Sequence, residues 1–116
     1  MKTLKEHIEM YVESAINHGK ATMMGDYKIA NKNYYRIMKA LNNILKYGSE
    51  GREEILKLLI NEDDSVKCWA ATHSLKYNEL KALITLNDLS KGKGLICSDA
   101  KIVIEEWKKG NLRDLP

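Results

Sequence analysis

The chain has 116 residues, enough for one domain spanning 1–116 and too few for two independent cores. Hydrophobic residues make up 44% and charged residues 30%, the composition of an ordinary soluble globular protein, and the net charge of +3 is only mildly basic and does not by itself imply nucleic acid. Two cysteines make no disulfide framework, the charged opening "MKTLKEHIEMYVESA" lacks the apolar run of a signal peptide, and no stretch reaches the roughly 20 apolar residues of a membrane span; a cytoplasmic protein is expected.

Helical periodicity runs the length of the chain, and the expected fold class is all-α. Thr3 can cap a first helix, roughly 3–18, with Leu4, Ile8, Tyr11, Val12 and Ala15 on one face and Gly19 as its stop. A longer second helix, roughly 26–47, carries the apolar stripe Tyr27, Ala30, Tyr34, Ile37, Met38, Leu41, Ile44 and Leu45, and ends at Gly48. A third, roughly 50–61, buries Ile55, Leu58 and Leu59. The fourth, roughly 64–76, starts from Asp63 or Asp64 as N-cap. Asn78 caps a fifth, roughly 79–90, with Leu80, Leu83, Leu86 and Leu89. After "SKGKG", Ser98 caps a sixth, roughly 98–109, with Ala100, Val103, Ile104 and Trp107 at helical spacing, and Gly110 stops it.

Six helices on short loops suggest three antiparallel pairs. The fourth helix sets Val66, Trp69, Ala70, His73 and Tyr77 on one side and Cys68, Ala71 and Leu75 on the other. A helix apolar nearly all round belongs inside, with neighbours on both faces. The expected architecture is a short α-solenoid with Trp69 and Trp107 as core anchors.

The segment "LLINEDDSVKCWAATHSL" resembles the HEAT repeat through Leu58, Leu59, Asp64, Val66, Lys67, Ala70 and Ala71. The resemblance implies close helix approach over the paired alanines, and turn and inter-repeat hydrogen bonds from the acid and the base. It covers one repeat well and the rest only as helix pairs. Lys67 stands where arginine is usual, Ser74 where a leucine is expected, and no proline opens the fourth helix. With the terminal "IVIEEWKKG", the chain resembles a small bacterial family of stand-alone HEAT-like domains. Some members sit beside polymorphic toxin genes and look like immunity proteins.

Few residues suggest chemistry. His73, one turn after Trp69, has no nucleophile or orienting group to serve as base, and reads as a buried histidine hydrogen-bonded to a neighbouring loop. His7 and His18 lack a carboxylate at ligand spacing, so neither metal nor cofactor is expected. Cys68 reads as buried and inert, and Cys97, beside a loop, as more exposed. The glycines of "KGKG" lack P-loop spacing. No acid pair or triad marks an enzyme, and none is expected.

Charge placement says more. Residues 1–49 hold eight Lys or Arg against four acids. Lys28, Lys32, Arg36 and Lys39 fall at spacings of 4, 4 and 3 on the second helix, with Tyr35 beside them. Residues 50–64 reverse the sign through Glu50, Glu53, Glu54, Glu62, Asp63 and Asp64, against Arg52 and Lys57. Solvated faces would look the same, but a two-sided charge pattern also steers an oppositely charged partner. The expected function is therefore protein binding, and the resemblance implies an immunity protein that neutralises a cognate toxin. The candidate contacts are Lys28, Lys32, Tyr35, Arg36 and Lys39, with Glu50, Glu53, Glu54, Glu62 and Asp63 as a second candidate surface. The alternative is nucleic-acid binding through the same basic stripe. On either reading the chain is expected to be a monomer or weak dimer.

Overall fold

The computed structural model describes residues 2–116, and among them helices and turns account for all regular structure. Six α-helices follow one another: α1 (Leu4–Met23), α2 (Tyr27–Leu45), α3 (Ser49–Lys57), α4 (Asp64–Ser74), α5 (Glu79–Ser90) and α6 (Leu95–Lys108), with a 3₁₀ turn at Leu58–Ile60. The chain divides into two compact units, Met1–Glu54 and Ile55–Pro116.

In the first unit α1 and α2 form a helical hairpin. Thr3 opens α1 with a capping box: its Oγ1 accepts from the Glu6 N–H at 3.2 Å, and its own N–H donates to Glu6 Oε1 at 3.1 Å. That backbone hydrogen bond holds the Glu6 carboxyl below its ordinary range. Gly19 does not stop the helix. It lies buried within α1, which continues one further turn and buries Ala21. The stop is Gly25, whose φ of +71° is the left-handed conformation that glycine adopts without strain. Asp26 then caps α2, its Oδ1 accepting from the Ile29 N–H at 3.1 Å.

α2 buries Ala30, Asn33, Ile37, Ala40, Leu41 and Ile44. Tyr27 and Tyr34, expected in that stripe, are exposed. Both are displaced toward the helix edge, where a phenol can keep its hydroxyl in water. Tyr11 and Ala15 of α1 are fully buried, and Leu4, Ile8 and Val12 only partly so. α3 approaches the end of α2 so closely that a Cβ on Gly51 would overlap the Ile44 carbonyl oxygen.

In the second unit Asp63 caps α4, accepting from the Val66 N–H at 3.0 Å, and its own N–H donates to Asn61 Oδ1 at 2.9 Å. α4 packs on the 3₁₀ turn, α5 and α6, and α5 packs on α6. Val66, Cys68, Ala70, Ala71, His73, Ser74 and Leu75 are all buried, so α4 is covered on both the sides foreseen. Trp69 is only half-buried, and Tyr77 is exposed. Trp69 shares the half-open arc of Ser65 and Thr72, which periodicity alone does not separate from the inner one.

Asn78 caps α5 as expected, accepting from the Lys81 N–H at 3.2 Å. Ala82 and Leu86 are the fully buried positions of that helix; Leu80 faces solvent, and Leu58 is likewise only half-buried. α6 begins at Leu95, not after Ser98. Gly94, with φ +91°, turns the chain into it, and Cys97 then lies inward in the first turn. Trp107 is half-buried rather than a core anchor: its Nε1 donates to Glu79 Oε2 at 2.8 Å, which needs one edge of the ring near solvent.

Candidate functional site: the outer face of α2

Each residue of an α-helix turns the chain by about 100°. With Ala30, Asn33, Ile37, Ala40, Leu41 and Ile44 inward, the opposite side presents Lys28, Asn31, Lys32, Tyr35, Lys39 and Asn42. All six are exposed. Lys28 and Lys39 are about 16 Å apart along the axis at 1.5 Å per residue. Arg36 stands at the edge of this face and is half-buried. The Tyr35 ring meets Tyr34 edge-on, with centroids 5.4 Å apart. The stripe expected from spacing is thus brought together on one helix surface, with Arg36 at its margin.

The electrostatics of this face are one-sided. No Asp or Glu occurs between Tyr27 and Leu45. Among the described residues the side chains of Lys28, Lys32, Arg36 and Lys39 make neither ion pair nor hydrogen bond. The three exposed lysines among them keep their hydration and their field, and both are available to a partner.

The second candidate surface is divided. Glu50, Glu53 and Glu54 lie on α3 within the first unit, and Glu54 is half-buried. Glu62 and Asp63 belong to the second unit, where Asp63 is already engaged as the α4 cap. Asp64 lies 3.8 Å from Lys67, an exposed pair of little energetic weight.

His73 is buried, its ring centroid 5.6 Å from that of Trp69. Burial pushes its pKa down to about 4, so at neutral pH it is an uncharged core group. Desolvation, reinforced by Asp99 and Asp64, pushes the Cys68 thiol up to about 12; it is buried and stays protonated. Cys97 is not the exposed thiol expected: it is buried and its Sγ donates to the Ser90 carbonyl at 3.0 Å. Among the described residues no three His, Cys, Asp or Glu side chains gather as metal ligands would. A cleft of about 290 Å³ in the second unit is lined by Asp64, Lys67, Asp88 and Lys93, among others, with both signs of charge.

Sequence reasoning passed over the tip of the α1–α2 hairpin. Met23, Met24 and Tyr27 there are almost wholly exposed. The signal available was a pair of methionines beside a Gly-Asp stop and cap, where turn residues are ordinarily polar.

The chain is similar to the crystal structure of the protein RPA1889 from Rhodopseudomonas palustris CGA009, with a TM-score of 0.86 and 15% identity over 95% of this chain and 92% of that one. At that identity the likeness shows the all-α fold alone. No protein-family model matches the chain, and no curated protein matches it.

Proposed function

We propose that this chain is a HEAT-like protein-binding module that acts in the cytoplasm as an immunity protein, binding and neutralising a bacterial toxin through the outer face of α2. One observation carries the reading: four unpaired cations and an exposed tyrosine on a helix that bears no carboxylate. Such a face complements an acidic protein surface. It raises the encounter rate by steering, and a pre-formed helix lowers the ordering cost of docking. A stacked-helix scaffold, as the HEAT resemblance implies, offers this without catalytic groups.

The test uses the tagged full chain recovered from its native host at low ionic strength. The reading expects a stoichiometric protein partner that arrests growth when expressed alone and is silenced by co-expression of this chain. Lys28→Glu/Lys32→Glu/Lys39→Glu should abolish that relief with an unchanged melting curve, because exposed cations contribute little to folding. Undiminished relief by the triple variant refutes the reading.

A second reading is favoured by Asn31 and Asn42, whose amides alternate with the lysines as phosphate donors would. It requires duplex DNA or structured RNA to bind the wild-type chain at moderate salt, with a salt slope of about −0.9 per phosphate contacted, and the triple variant to lose that binding.

A further inference from the structure

Three of the four most exposed large hydrophobic side chains among the described residues fall within five residues: Met24 at 84%, Tyr27 at 79% and Met23 at 76%. Ile29, 49% exposed, follows in the next turn. Scattered exposed hydrophobics need no explanation, but a cluster at one projecting turn does.

The turn is held in place by its backbone. The Met24 N–H donates to the Lys20 carbonyl at 3.1 Å, the Gly25 N–H to Thr22 at 3.1 Å and the Asp26 N–H to Ala21 at 2.9 Å. The two methionines are therefore presented from an ordered support, which reduces the entropy lost when they are covered. Methionine is unbranched and polarizable, suited to filling a pocket of irregular shape.

The surrounding charge is positive. Lys20, in the last turn of α1, and Lys28 and Lys32, on α2, are exposed. The nearby carboxylate, Asp26, is occupied with the Ile29 N–H. An apolar knob with a cationic rim complements an apolar pocket with an acidic rim. A nucleic-acid duplex would engage the lysines without covering the methionines. Binding energy concentrates where an anchor is fully desolvated within a ring of contacts that exclude water.

We infer that the α1–α2 turn is the apolar anchor of the binding face: Met23, Met24 and Tyr27 enter an apolar pocket, rimmed by carboxylates, on the partner protein. This rests on the protein-binding reading above and specifies where its affinity resides.

The test places the photo-crosslinker p-benzoylphenylalanine at position 27 in one preparation of the full chain and at position 35 in another, irradiated in the native host. The expected result at position 27 is a protein adduct whose crosslinked peptide maps to an apolar pocket flanked by Asp or Glu. With that partner purified, Met23→Ser/Met24→Ser should weaken binding at least about 10-fold, mainly through faster dissociation and equally at low and high salt. Lys28→Glu/Lys32→Glu/Lys39→Glu should instead slow association and flatten its salt dependence. An adduct at position 35 with none at position 27, or an unchanged affinity of the methionine variant, overturns the anchor and leaves the α2 reading standing. Adducts to nucleic acid or lipid at position 27 overturn the anchor. No adduct at either position overturns both.

Discussion

His73 ties the stability of the fold to pH in a window of its own. Burial holds its pKa near 4, against an ordinary value of 6.5 in the unfolded chain. Above pH 6.5 the ring is neutral in both states and pH has no purchase on it. As pH falls below 6.5 the unfolded chain binds the proton and the folded one does not, so stability is lost down to about pH 4 and then levels off. The full shift, 6.5 minus 4, corresponds to about 3 kcal/mol at about 1.36 kcal/mol per pKa unit. The linkage relation puts about a third to a half of that loss at pH 5.5 and most of it by pH 4.5. Glu6 touches only the acid end of this window: its lowered pKa adds stability that is lost as pH falls below about 4.5. Urea denaturation at pH 7.5, 5.5 and 4.5 measures the slope directly. His73→Gln removes the titrating group, so its stability, whatever its level, should be nearly flat from pH 7.5 to 4.5. Equal slopes for wild type and variant would show that His73 is not a desolvated core group.

Two further substitutions probe packing. Gly51→Ala should cost about 1–3 kcal/mol because the methyl group meets the Ile44 carbonyl, whereas Gly92→Ala, whose Cβ would lie 3.4 Å from the Leu89 oxygen, should change stability by a few tenths at most; denaturant midpoints of the pair decide this. Leu86→Ala should cost about 2–5 kcal/mol, and Trp69→Ala less than the about 3–5 kcal/mol of a fully buried tryptophan, since Leu86 is inaccessible and Trp69 half-open; a larger loss at Trp69 would make it the core anchor the sequence suggested.

The helices and their caps were legible because each rests on local chemistry. Thr3, Asp63 and Asn78 each stand at the start of an apolar period, and each side chain accepts from a backbone N–H of the first turn. Gly19 and Ser98 misled for a shared reason. A residue type permits a cap but does not set the backbone angle, and the left-handed φ belongs to Gly25 and Gly94 instead. Aromatic rings were misplaced where a helical face has an edge: Tyr27, Tyr34 and Trp69 fit the apolar period yet lie at its margins, since only packing decides which flank is covered. The basic stripe could be read from spacings of 4, 4 and 3, because a helix with an inner face fixes its outer one. Which surface a partner covers is set by the partner, and no periodicity encodes it. The exposed Met23 and Met24 were passed over because an apolar pair in a turn leaves no periodic mark.

Lysine footprinting of the complex recovered from the native host reads out whether the outer face of α2 meets the partner. Amine-reactive labelling of the free chain and of the complex, read by peptide mass spectrometry, compares Lys28, Lys32 and Lys39 with Lys91, Lys93 and Lys101, all exposed in the free chain. The three α2 lysines should lose reactivity in the complex while the other three retain it. Full reactivity at Lys28, Lys32 and Lys39 in the complex, with protection elsewhere, would contradict docking through that face.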